Sequence, residues 1–151
     1  MEPEDRTELA AIRDLFERES LAVLSTQKDG HPYASLVAFA NTADMRKTLF
    51  LTPSTTRKYD NLTASPRVAV LVNNSRNQSY DFYSAMAVTA LGSAEPLRGE
   101  DREEHLDTYL KRHPHLTEFA AASTTELIGI TVDKYIKVIR FQNVTEILMT
   151  T

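Results

Sequence analysis

The chain contains no cysteine and no tryptophan, has only four glycines, and carries no surplus of positive charge. Without cysteine there can be no disulfide, thiolate nucleophile, iron-sulfur cluster or Cys-ligated zinc, and an extracellular location has no support. The glycines form neither a Gly-x-Gly-x-x-Gly nor a Walker loop, and there is no Gly-x-Ser-x-Gly elbow for a serine hydrolase. A net charge of -4 with the signs intermixed argues against a nucleic-acid partner. No run approaches the ~20 apolar residues of a membrane helix. The start, "MEPEDRTELA", is acidic where a secretory signal would be basic and then apolar. The expectation is a soluble cytoplasmic protein that binds neither membrane nor nucleic acid.

What is present is enough for one domain over residues 1–151, with 42% hydrophobic and 25% charged residues. A chain of this length buries roughly 70% of its unfolded surface, so a core forms without staples. Residues Glu4 to Glu19 carry Leu9, Ile12, Leu15 and Phe16 on one stripe, which predicts a surface helix. Three apolar runs follow, Leu21 to Leu24, Ala34 to Ala40 and Leu49 to Leu51, separated by the turn signal "KDGHP" and the polar "NTADMRK". They predict an antiparallel meander.

Beyond it, "TTRKYDNLTAS" reads as a short helix, "RVAVLVNN" as a strand apolar on both faces, and "NNSRNQSYDFY" as a loop. The strand "SAMAVTALGSAEPL" holds Gly92, which suggests a bulge. In "GEDREEHLDTYLKRHP", Leu106, Tyr109, Leu110 and His113 share a helical face, and a second short helix is expected over Leu116 to Ala122. "ELIGITVDKYIKVIRF" supplies one long strand or two short ones around an Asp-Lys turn, and "NVTEILMT" a trailing edge. Hairpin-joined strands apolar on both faces fit a closed barrel, because closure buries one face and leaves the other for helices or a second subunit. The expected fold is mainly β (α+β): a six- or seven-stranded antiparallel split β-barrel with peripheral helices.

One connection is over-supplied with polar groups. In "FLTPSTTRKYDNLTASPRVAVLV", Thr52, Ser54, Thr55 and Thr56 precede Arg57 and Lys58. If Ser54 or Thr55 caps the helix, its free N–H groups and dipole favour an anion, and hydroxyls, a planar guanidinium and an ammonium suit a phosphate. A capped helix with two solvated cations satisfies the same residues. The "RHPH" histidines, His113 and His115, are read as a helix end with solvated imidazole rather than a metal pair, since Pro114 breaks the helix between them. Tyr80, Phe82 and Tyr83 either pack their loop onto the barrel or cover a flat ligand or partner.

Taken together, "PYASLVAFA", "LFLTPSTTRKYDNLTASPRVAVLV" and "MAVTALGSAEPL" resemble, in order and spacing, the FMN-binding split barrel of the pyridoxamine 5'-phosphate oxidase family. "YLKRHPHL" and "VDKYIKVIRF" are similar to a branch that includes haem-utilisation proteins. The resemblance implies a homodimer with FMN at the subunit interface and a small-molecule substrate. It implies that Arg57 and Lys58 hold the phosphate, helped by Ser54, Thr55 and Thr56. It places Ser35, Leu36, Val37 and Ala38 along the flavin ring, and Leu51 and Thr52 near the ring and ribityl chain. Typical oxidases carry basic residues where this chain has Ser35 and Ala40 and an Arg-Gln pair at Met86 and Ala87, and they have a C-terminal Arg-x-His that is missing here. The implied activity is an FMN-dependent oxidoreductase other than the vitamin oxidase, with no catalytic side chain assigned. The alternatives are a non-catalytic flavin or haem module and a deazaflavin-dependent reductase.

Overall fold

Asp29 and Gly30 both adopt positive φ, 52° and 78°, the backbone of a two-residue hairpin whose twist matches that of its strands. They fold β1 (Leu21–Lys28) onto β2 (His31–Asn41), pairing Lys28 with His31. The computed structural model describes residues 1–149. A loop with Met45 at φ 62° leads to β3 (Lys47–Pro53). Then come α2 (Arg57–Ala64), β4 (Arg67–Asn73), β5 (Met86–Pro96), β6 (Thr125–Ile139) and β7 (Asn143–Leu148). Every pairing is antiparallel in the order β3-β2-β1-β4-β5-β6-β7, and β3 also pairs with β6. Six strands thus close a barrel, and β7 adds to the free stretch of β6.

The helix α1 (Pro3–Arg18) starts with Pro3 in its first turn and Glu4 and Asp5 beside the positive end of its dipole. It buries Leu9, Ile12, Leu15 and Phe16 against the barrel. Phe16 meets Phe39 and Tyr135 edge-on, with ring centroids 5.5 and 5.6 Å away. Each large side chain so buried contributes about 1.5–3 kcal/mol. The outward residues Leu49, Leu51 and Leu127 form a second core under Tyr109 of α4 (Gly99–Arg112) and Ala120 of α5 (Thr117–Ala121), with a 3₁₀ turn, Pro114–Leu116, between the helices. That is why strands apolar on both faces stay out of water.

Three local expectations change. The loop after β4 contains a one-turn helix, α3 (Asp81–Ser84), because buried Asp81 accepts hydrogen bonds from the Arg76 and Gln78 amides at 3.0 and 2.9 Å. "VDKY" is no turn: β6 is continuous, and Asp133 is the extra residue that lets Val132 pair with Gly92 and Lys134 with Leu91. Gly92 sits opposite that bulge, where a Cβ would lie 2.1 Å from the Thr131 carbonyl oxygen.

Candidate functional site

The β2–β3 ladder is short, running from Asn41 paired with Thr48 to Phe39 paired with Phe50. Continued in register, it would set Ala38 against Leu51, Val37 against Thr52, Leu36 against Pro53 and Ser35 against Ser54. None of these rungs forms. The β2 segment stays on β1 and β3 stays on β6, so the strands part and each keeps one edge without a strand partner. The eight residues flanking this split include Ser35–Ala38 and Leu51, Thr52 and Ser54, all singled out from sequence. Val37 and Thr52 are buried and Leu36 faces outward. The Ser35 hydroxyl is buried with no hydrogen-bond partner among the described residues.

At the end of β3 the hydroxyls divide into two sets. Thr56, not Ser54 or Thr55, caps α2: its hydroxyl accepts from the Tyr59 amide at 3.3 Å and lies 2.7 Å from the Thr52 hydroxyl. These two threonines therefore serve the local fold. Ser54 and Thr55 remain exposed at the helix entrance, beside Arg57 and half-buried Lys58. Two neighbouring acids are committed elsewhere, while Asp29 lines the same cavity as Arg57. Asp60 pairs with Lys28 at 2.7 Å, and Glu126, opposite Thr52, pairs with Arg98. Among the described residues no carboxylate pairs with Arg57 or Lys58. The Arg57 guanidinium lies 5.2 Å from the centroid of the Tyr33 ring, over a cavity of about 310 Å³ that also reaches His31 and Lys28. Tyr33 is a site neighbour that sequence reasoning missed.

Helix α4 fastens the other end of the split. The Tyr109 hydroxyl donates to the Ala38 carbonyl at 2.9 Å, on the first missing rung. Burial pushes this phenol up to about 12, with the Leu51 backbone pulling the other way. One turn on, His113 is buried rather than solvated: its Nε2 lies 2.7 Å from the Phe39 carbonyl oxygen and its ring packs 4.9 Å from that of Tyr109. Desolvation holds its pKa below the ordinary imidazole value. The shared apolar face of Leu106, Tyr109, Leu110 and His113 was the available signal, because a polar tip on such a face needs a buried partner. The candidate metal-type cluster, Asp101, Glu104 and His105, is largely exposed on α4, with His105 Nδ1 already 2.8 Å from the Asp101 carbonyl.

Outside the barrel, the cross-strand row Leu36, Val23, Leu71, Thr89, Ile136 forms a mostly apolar face. Leu36 is 64% exposed and Leu21, beside it, 53%. At its edge Phe82 packs 5.1 Å from Phe141, and Tyr80 and Tyr83 stand in solvent rather than on the barrel. Among the described residues no helix is long and apolar enough to cross a membrane.

The family model described as pyridoxamine 5'-phosphate oxidase matches residues 9–138. The chain belongs to that family. No curated protein matches this member of it closely enough to count. Among solved structures, ChuZ from Campylobacter jejuni superposes with a TM-score of 0.80 at 13% identity, over 95% of this chain and 60% of its own. A heme binding protein from Mycobacterium smegmatis gives 0.78 at 18% identity, over 92% of this chain and 57% of its own. An FAD-binding protein from Mesorhizobium loti gives 0.69 at 17%, over 85% and 90%. The family member described here thus spans about three fifths of the first two proteins, and at these identities the likeness is one of fold.

Proposed function

We propose that this family member is a flavoprotein that binds FMN noncovalently along the split and works as a homodimeric oxidoreductase on a small molecule. The observation that carries the reading is the juxtaposition at the split. The segments Ser35–Ala38 and Leu51–Ser54 each have an edge without a strand partner, and the second runs on in sequence to Arg57 and Lys58, two cations without a carboxylate partner among the described residues. Backbone N–H and C=O groups along such an edge suit the polar rim of a flavin, and the buried, unpartnered Ser35 hydroxyl adds one more group that needs a partner. Arg57 offers a planar fork to the phosphate, Lys58 a point charge, and Ser54 and Thr55 two donors. FMN, when bound, supplies hydride and electron transfer, and the protein contributes position and charge. The apolar face containing Leu21, Leu36 and Leu71 would meet a second copy.

With Ser35 and Ala40 where typical oxidases are basic, Arg57 and Lys58 carry more of the anion. Titrating the purified chain with FMN, following quenching of flavin fluorescence, tests this. The Arg57→Ala/Lys58→Ala double variant should bind roughly 10²–10³-fold more weakly, the scale of two charge-assisted interactions, with an unchanged melting temperature. Unchanged affinity would remove the cradle from the site. Preference for haem or a deazaflavin over FMN would transfer the split to the corresponding alternative.

A further inference from the structure

Away from the split, α1, the β2–β3 loop and α4 enclose a cavity of about 320 Å³, at the small end of ligand-sized sites. Phe16, Ala40 and Met45, each almost wholly buried, lie among its lining together with Asn41, Thr42 and Thr108. Two arginines from different helices line it, Arg13 of α1 and Arg112 of α4.

Neither group has a carboxylate within ion-pair distance among the described residues. Arg112 is half-buried, donates to the Glu19 backbone carbonyl and lies 5.3 Å over the Phe39 ring. Burial lowers its pKa, while the charges of Glu17 and Glu19 oppose that shift. Glu19 is engaged with Arg76 at 3.3 Å, and Lys111 at the rim with Asp107 at 3.1 Å. The remaining acid on the lining is exposed Glu17, which pairs with neither arginine. Both arginines thus line the cavity without a direct ion pair, and for half-buried Arg112 the two nearby carboxylates only partly offset the cost of desolvation.

We propose that this cavity binds a small organic anion, its oxyanion head between Arg13 and Arg112 and its apolar body over Phe16, Ala40 and Met45. The head needs two or more oxygens to accept from two forks, which a carboxylate and a phosphate both provide. The body must be short, because the cavity admits one ring or a brief alkyl chain. No lining residue belongs to Ser35–Ala38 or Leu51–Lys58, so the site stands whether or not the split holds FMN.

The full chain would be titrated with benzoate and with phenyl phosphate by calorimetry and by amide NMR. The expected result is binding of at least one of them at or below about 1 mM, with shifts at Phe16 and Met45, and the preferred probe identifies the head. Inorganic phosphate, a head without a body, should bind about tenfold or more weakly than the preferred probe. Arg13→Gln should weaken binding about tenfold and leave the melting temperature unchanged, and Arg112→Gln should weaken it at least as much. Should Arg112→Gln fail to fold for lack of its bond to Glu19, Arg13→Gln decides alone. Failure of both probes to bind, or equal affinity in Arg13→Gln, overturns the proposal.

Discussion

The Tyr109 hydroxyl meets the Ala38 carbonyl at 2.9 Å on the very rung where β2 should have paired with Leu51. A side chain from a covering helix thus takes the place of a strand in satisfying this carbonyl. The phenol thereby occupies the first missing rung of the split and ties it to the second core, where its ring is buried.

Removing that hydroxyl should be felt in stability. Tyr109→Phe keeps the ring packing and leaves a part-buried carbonyl unpaired, a loss of about 1–3 kcal/mol readable in urea unfolding. The phenol's pKa is raised to about 12 from 10.0, so its share of stability is complete below pH 10 and is lost as the pH rises through about 12. Tyrosinate absorbance should show Tyr109 and Tyr135, both raised by burial, ionising only above the ordinary tyrosine value of 10.0.

His113 predicts the acid side. Its pKa is lowered from 6.5, mainly by burial and further by Arg112 and His115, so the unfolded chain takes up the proton first. Stability is therefore full above pH 6.5 and falls as the pH drops through the depressed folded value. Urea midpoints measured from pH 7 down to about 5 should decline less in His113→Gln than in the parent chain. Parallel declines would show that His113 does not report the transition.

Two glycines should respond differently to alanine. Gly92→Ala drives a Cβ to 2.1 Å from the Thr131 carbonyl oxygen across the bulge, so it should cost about 3 kcal/mol or more. Gly30→Ala meets open space and pays only for its φ of 78°, about 1–2 kcal/mol. Thermal unfolding of the two variants compares them directly.

The outward row of the barrel makes a prediction about assembly. Leu36→Asp places a charge on an already exposed position, so the monomer fold should be within about 0.5 kcal/mol of the parent. On the proposed homodimeric flavoprotein, sedimentation velocity should show a dimer for the parent chain and a monomer for the variant, with weaker FMN binding. A variant that remains dimeric would move the subunit contact to another face.

The periodicities that were strong in the chain produced the elements they predicted: the stripe Leu9, Ile12, Leu15, Phe16 lies buried in α1, and the Asp-Gly signal turns β1 into β2. The surplus of hydroxyls and cations from Thr52 to Lys58 was visible in residue type alone, and the structure assigns Thr56 and Thr52 to the cap while leaving Ser54 and Thr55 exposed. Other features depended on partners distant in the chain. Thr56 rather than Ser54 is the cap because Thr52, Pro53 and Tyr59 close around its hydroxyl. His113 is buried because the Phe39 carbonyl, 74 positions earlier, needs a partner just beyond the start of β1, on the side where the Phe39 amide meets Ser20.

By itself, then, the sequence determined the alternation of apolar strands and polar turns, the closed antiparallel architecture and the chemical character of the loop before α2, since these follow from neighbours along the chain. Only the tertiary structure decided where the ladder opens, that Tyr109 meets its first missing rung, that His113 caps the Phe39 carbonyl, and that Arg13 and Arg112 line one cavity. Those relations join residues far apart in sequence, and backbone groups left unpaired by one strand can be satisfied only by whichever side chains folding brings to them.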